Sequence, residues 1–189
     1  YEEENEKHFY ELIKKQNPRR QLFDIDLKKD ALSPNQQKWL CSDDDLLTTF
    51  QEAFNEFYKD HYGTMFEGEE LEGQFYTTTS TNASKFSLHI TTNYYFKNFD
   101  EQKVFMDKFE QYLKDRPELE LLHKKVEGKE AETIVDFAIN SKNRVMRILD
   151  SSKFGEDRPL KILESDQPSS ITKYFASIID EDCVFCKVP

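Results

Sequence analysis

Asp24 and Asp26 stand two residues apart in Gln-Leu-Phe-Asp-Ile-Asp-Leu, residues 21–27, where apolar and acidic side chains alternate. Alternation of period two predicts a strand with Phe23, Ile25 and Leu27 on one face and both carboxylates on the other, roughly 6–7 Å apart along the backbone. Two carboxylates facing one way repel each other unless a cation lies between them, and Mg²⁺ and Mn²⁺ favour such oxygen ligands. A solvated strand face has the same pattern, so the pair alone decides nothing. Lys85-Phe86-Ser87-Leu88-His89 repeats the alternation. It puts Phe86, Leu88 and Ile90 toward a core and sets an ammonium, a hydroxyl and an imidazole side by side on the opposite face. Such a row can grip phosphate oxygens, and it also suits an ordinary half-exposed strand. Asp136 lies in the apolar run Thr-Ile-Val-Asp-Phe-Ala-Ile. A carboxylate buried there is costly alone, so it is either paired with a buried base or a metal ligand. Lys142, Arg144, Arg147 and Lys153 follow within a short span. On a strand Arg144 and Arg147 point to opposite faces, so only some of these cations can serve one site.

The elements that must hold these residues are legible from periodicity and punctuation. Residues 1–16 read as a helix, with Phe9, Leu12 and Ile13 on one face and Asn17-Pro18 as its stop. Residues 21–27 are a strand. Ser42 and Asp43-Asp44-Asp45 begin a helix that runs to about Tyr62 and ends at Gly63. Leu46, Leu47, Phe50, Ala53, Phe54, Phe57 and Tyr58 are its core face. Residues 74–80 and 85–91 form a hairpin, and 100–115 an amphipathic helix stopped at Arg116-Pro117. Residues 133–139 and 144–149 are two more strands joined by a turn at Asn140–Asn143, and 169–179 a final short helix. This mixture predicts an α/β or α+β layer architecture.

The chain has 189 residues, enough for one domain with a sizeable core, and its Phe and Tyr content makes that core aromatic-rich. Its net charge of −11 counts against nucleic acid, whose phosphates are met by Lys and Arg. Distribution matters more than the sum, and the cations around Lys142–Lys153 predict one basic cleft on an acidic molecule. Glycine is scarce and neither G-x-G-x-x-G nor G-x-x-x-x-G-K-[ST] occurs, which excludes the Gly-rich phosphate loops. No apolar run is long enough to span a membrane, and no secretory signal pattern is present. Three cysteines fit a reducing, intracellular compartment better than a disulfide framework. The first residue is Tyr rather than Met, so the chain is read as a piece of something longer.

Each of these signals is modest, but their order is specific. The chain carries D-x-D on a strand, then S-x-H on a strand, then a lone Asp followed by K-N-R-x-x-R and S-S-K. In this it resembles the archaeo-eukaryotic primase superfamily, and most of all PrimPol-like enzymes and the primase domains of large-DNA-virus primase-helicases. The matching segments are Phe23–Leu27, Lys85–His89 and Val135–Lys153, spread between about residues 20 and 165. The resemblance implies a single catalytic domain over 1–189. It implies an N-terminal α/β module packed on an RRM-like module, with the site in the cleft between. It implies two divalent metals, Mg²⁺ or Mn²⁺, on Asp24, Asp26 and Asp136, where family members often have Glu at the second position. It assigns Ser87 and His89, with Lys85 beside them, to the triphosphate of the incoming NTP or dNTP. Arg147 and Lys153 match nucleotide-contacting positions, and Arg144 a basic position of less defined role. Partners so implied are a single-stranded DNA template and a helicase domain in the same longer chain, at the site of DNA replication.

Two other functions compete. A non-catalytic replication module that binds nucleic acid or a helicase suits the acidic faces. His89-Ile-Thr91 is also an H-x-T, as in two-histidine phosphoesterases, but His8, His61 and His123 supply no second one. Family members often carry zinc, and Cys183-Val-Phe-Cys186 has the spacing. Zinc needs about four ligands, however, and Cys41 and the remaining histidines form no second half. The pair reads as two ordinary cysteines, or as half of a site completed elsewhere.

Overall fold

The alternating runs around Asp24 and Ser87 become neighbouring strands. The computed structural model describes residues 8–62, 74–124, 132–166 and 170–188. In chain order its elements are β1 (Tyr10–Ile13), β2 (Arg19–Lys28), α1 (Pro34–Trp39), α2 (Asp43–Tyr62), β3 (Phe75–Thr79), β4 (Lys85–Phe96) and α3 (Phe99–Lys114). They continue with β5 (His123–Lys124), β6 (Glu132–Thr133), β7 (Arg144–Arg147), β8 (Lys161–Ile162) and β9 (Val184–Phe185). The main sheet has the antiparallel order β2-β4-β3-β8, with β9 running parallel to the end of β4 at Tyr94 and Tyr95. The architecture is α+β, a mixed chain built on antiparallel sheets. Among the described residues no helix is long and apolar enough to cross a membrane.

One face of this sheet is the core, as the alternation demands. Phe23, Ile25, Leu27, Phe86, Leu88 and Ile90 are buried in one cluster with Phe50, Phe54 and Phe57 of α2 and Phe105 and Phe109 of α3. Phe54 meets the edges of Phe23, Phe109 and Phe75 at ring-centroid distances of 5.3, 5.4 and 5.5 Å, an arrangement that sets rim hydrogens against π faces. The start of α2 is capped as expected: Ser42 Oγ accepts from Asp45 N–H (3.1 Å), and the Asp45 carboxylate accepts from the N–H groups of Cys41 and Ser42. Asn98 caps α3 in the same way. Asp43 adds something that capping alone does not require. Its carboxylate accepts from the hydroxyls of Thr79 and Thr81, and Thr81 Oγ1 accepts from Ser87 N–H. The turn of the β3–β4 hairpin is thereby pinned to the start of α2.

The opposite face carries Asp24 and Asp26, and here three expectations give way. The stretch 1–16 contains no helix among its described residues: β1 is a strand paired antiparallel with β7, Tyr10 opposite Arg147 and Ile13 opposite Arg144. Long-range pairing overrides helical spacing in so short a segment. Residues 133–139 are not one strand. Glu132 and Thr133 pair with β5, Val135 makes a single bridge to Ile25, and Phe137–Ile139 turn as a 3-10 helix. β7 therefore pairs with β1 and not with the preceding segment. The predicted helix 169–179 is only a 3-10 turn at Ile171–Tyr174 among the described residues. The proposed helix stop at Gly63 lies outside the described residues.

The β1–β7 ribbon docks on the polar face of the sheet through a second small core of Ile13, Leu22, Ile139, Met146 and Ala176. A buried arginine fastens it. Arg19 is 2 % exposed, and its guanidinium donates to the carbonyls of Lys14 (2.7 Å), Ser141 (3.3 Å) and Lys142 (3.4 Å) and to Gln102 Oε1 of α3 (3.3 Å). The end of the ribbon where β1 leaves and β7 enters is thus tied through Arg19 to α3.

Candidate functional site

Strand register assembles the carboxylates with the S-x-H residues. Asp24 lies opposite His89 and Asp26 opposite Ser87, and directly opposed residues of an antiparallel pair project from the same face. On the free edge of β2, Val135 bridges Ile25 and the Asp136 N–H donates to the Asp24 carbonyl at 2.8 Å. Asp136 is therefore the cross-strand neighbour of Asp24, so His89, Asp24 and Asp136 form a row across three segments distant in sequence. Asp136 itself is exposed. This corrects the expectation of a carboxylate forced to find a partner by burial, because the segment 132–136 lies along a sheet edge rather than inside the sheet. Its Oδ1 accepts from Ala138 N–H at 2.9 Å and caps the 3-10 turn.

Two cavities meet at these acids. The smaller, about 270 Å³, is bounded by Asp24, Asp26, Ser87, His89, Lys153, Tyr10 and the whole of β7. Four consecutive residues of β7 line it, so Arg144 and Arg147 both reach it. Arg144 and Arg147, which alternation puts on opposite faces of β7, thus both border this cavity. The larger, about 830 Å³, opens between 132–138 and Glu110 and Lys114 of α3, and shares Asp26 with the first. Asp136 lies in its wall. The predicted basic cleft is in fact mixed, with cations facing carboxylates across a small space.

The electrostatics follow from this crowding. Burial, then the charges of Asp26 and Asp136, push the Asp24 carboxyl up to about 7, with Lys153 and Arg147 offsetting part of the effect. Its Oδ1 is buried without a hydrogen-bond partner, and the nearest ring nitrogen, His89 Nε2, is 3.6 Å away. Burial also acts to raise Asp26, but hydrogen bonds from Lys85 and Ser87 and the charges of Lys85 and Lys153 outweigh it and leave its pKa lowered. Burial, with the Arg147 charge, pushes His89 down to about 3. His89 is therefore neutral at physiological pH, and its contact with Asp24 is not an ion pair.

Lys85 Nζ donates to both Asp26 oxygens at 2.9 and 3.0 Å, so it holds a carboxylate instead of projecting into the smaller cavity. Ser87 Oγ accepts from Ser80 Oγ at 3.1 Å, leaving its own proton for Asp26 or a ligand. Arg147 donates to the Arg158 carbonyl at 3.2 Å, and Arg158 reaches the Ser80 carbonyl at 3.1 Å. Sequence reading missed Tyr10, Arg19 and Arg158. Tyr10 stands as an aromatic among charges, but the spacing of Phe9, Leu12 and Ile13 points to a helix and so gives no hint that it lines the cavity. The two arginines gave no signal, since their roles are contacts to distant carbonyls.

Among the described residues, no group of three His, Cys, Asp or Glu side chains is drawn together closely enough to hold a metal ion as it stands. Each acid has a different local partner: Asp26 the Lys85 ammonium, Asp136 its own turn. Cys186 is buried in the core with its thiol pushed up to about 12 by that burial, while Cys183 Sγ donates to Asp180 Oδ1. Thr91 Oγ1 donates to the Tyr174 carbonyl at 3.3 Å, away from His89's cavity. His123 Nε2 meets the Leu113 carbonyl, and His61 packs on Phe57. No family model and no curated protein matches the chain.

Proposed function

We propose that this chain is the catalytic domain of a DNA primase-polymerase, carrying out template-directed nucleotidyl transfer on single-stranded DNA. The observation that supports this reading best is the row His89, Asp24, Asp136 with Ser87 and Asp26 beside it, assembled by register and faced by Arg147 and Lys153. Two acids on one strand and a third on its edge, opposite a hydroxyl, an imidazole and two cations, match nucleotide chemistry part for part. The α/β module packed on an RRM-like module belongs to the same reading. So do the replication site, the helicase of a longer chain and the NTP or dNTP substrate.

The donor set fits Mg²⁺ or Mn²⁺. Asp24 is an oxygen ligand with a buried, unpartnered Oδ1 and a proton affinity raised by neighbouring acids, so a cation would relieve both. Bound there, divalent metals would activate a primer 3′-hydroxyl and neutralise the triphosphate. Asp24 must lose its proton to become a ligand. Asp26 is already ionised, and Asp136 must release the Ala138 N–H. Neutral His89 can donate one ring N–H to a phosphate oxygen, Ser87 its hydroxyl proton, and Arg147 and Lys153 their charge.

The test is primer synthesis and extension on single-stranded DNA with Mg²⁺ or Mn²⁺ and nucleotides. Asp24→Ala with Asp26→Ala is expected to abolish both; a double variant as active as wild type refutes the assignment. The Lys85 ammonium on Asp26, which already engages one of the three carboxylates, favours a second reading, a non-catalytic module that binds nucleic acid or a helicase. That reading predicts no calorimetric signal with Mn²⁺ and a nucleoside triphosphate.

A further inference from the structure

The loop between β7 and β8 is tied at its base and bare at its tip. Asp150 N–H donates to the Leu160 carbonyl at 2.8 Å, and Leu160 N–H to the Ser151 carbonyl at 3.1 Å. Ser151 Oγ accepts from Phe9 N–H at 3.2 Å, and the Ser152 carbonyl lies 3.1 Å from His8 Nδ1. On the other flank Arg158 grips Glu156 and the Ser80 carbonyl. The tip closes with Glu156 N–H on the Lys153 carbonyl at 2.9 Å. Gly155 sits there at φ 77°, a conformation that strains any other residue although a Cβ would meet nothing within 4 Å. The base of the loop is thus ordered by hydrogen bonds and by the buried Leu160, and its tip by hydrogen bonds and charge.

Phe154 stands on this pedestal 87 % exposed, with the His8 ring at 5.6 Å. An isolated exposed apolar side chain is common. This one directly follows Lys153, which lines the smaller cavity, while Phe154 itself does not. Glu156 is held by Arg158 and Asp150 by Lys161, whereas among the described residues the Lys153 ammonium makes no ion pair. A phosphate held at Lys153 therefore has an exposed π face on the adjoining residue, outside the cavity.

We propose that Phe154 is a stacking platform for an unpaired base of single-stranded DNA, with Lys153 on the adjoining phosphate. Base stacking on an exposed aromatic beside a cation is how single strands are held without sequence preference. The inference rests on the nucleotidyl-transfer reading for the strand's identity as template, but its test needs neither metal nor nucleotide.

The experiment is fluorescence anisotropy of a labelled oligothymidine at low salt, with chelator and no nucleotide. Phe154→Ala is expected to weaken binding roughly 5- to 100-fold without lowering the melting temperature, since the ring is exposed. Phe154→Trp is expected to retain affinity, with quenching of the new indole in a Trp39→Phe background. Lys153→Ala is expected to flatten the salt dependence by about 0.7 in log–log slope, and Phe154→Ala to leave that slope unchanged. An abasic strand is expected to bind wild type and Phe154→Ala alike. The proposal is overturned if wild type does not bind the strand, or if Phe154→Leu binds as wild type does. A Phe154→Ala defect confined to mononucleotide affinity also overturns it. Failure of the polymerase assay with strand binding intact sinks the catalytic reading and leaves the platform standing.

Discussion

Replacing Asp24 by Asn is expected to make the metal-free protein more stable while ending its activity. The Asp24 carboxyl is raised from an ordinary 3.8 to about 7 by burial and by Asp26 and Asp136. The folded state therefore binds this proton more tightly than the unfolded state does. Below about pH 4 the group is protonated in both states and contributes no pH dependence. As pH rises toward 7, the unfolded chain ionises freely and the folded one does not. Wild-type stability then falls with a slope approaching about 1.4 kcal/mol per pH unit. The accumulated cost reaches a ceiling of ~4 kcal/mol near pH 8. The amide of the Asp24→Asn variant keeps the shape and never ionises, so the variant's advantage over wild type should be small near pH 4 and approach that ceiling at high pH. Urea unfolding in chelator across this range reads the difference directly. Millimolar Mn²⁺ should then stabilise wild type and leave Asp24→Asn unmoved, because only a ligand bound to the folded form shifts unfolding. A stability difference that stays constant with pH, or that is largest in acid, would refute the crowded-carboxylate account of this site.

Other outcomes follow from the same structure. If Asp24 must be ionised to work, polymerase rate should climb with pH through about 7, and His89, neutral down to about 3, should add no second inflection in the free enzyme. Arg19→Gln removes a buried fork from four acceptors and should cost ~3 kcal/mol in urea unfolding, with nucleotide KM raised more than kcat falls as the ribbon loosens. Phe54→Ala, at the centre of the aromatic core, should cost about 3–5 kcal/mol in the same assay. In native protein a thiol reagent should label exposed Cys41 quickly and buried Cys186 only on unfolding, while zinc chelators leave the melting temperature unchanged.

Much of the local structure was legible because side-chain periodicity reports which face of an element is dry. The alternation at 21–27 and 85–90, the spacing of α2 and α3 and the Ser42 cap all carry through to the folded chain. Short segments with few residues per period did not read correctly. Tyr10–Ile13 is too brief for its spacing to separate helix from strand, and its state is set by pairing with β7. The apolar run around Asp136 predicts burial, whereas its place on a sheet edge leaves it exposed.

By itself, the sequence determined that Asp24 and Asp26 face away from the core and that Ser87 and His89 do the same, since a two-residue period leaves no other choice once Phe23, Ile25, Phe86 and Leu88 are buried. Only the tertiary structure decided which of these face one another. Register between β2 and β4, the edge bridge at Val135 and the ribbon fastened by Arg19 are contacts between residues far apart in the chain. Period constrains a residue's face but not its neighbour. Asp136 stands beside Asp24, and Arg144 and Arg147 reach one cavity, only because the backbone hydrogen bonds of the folded chain bring them there.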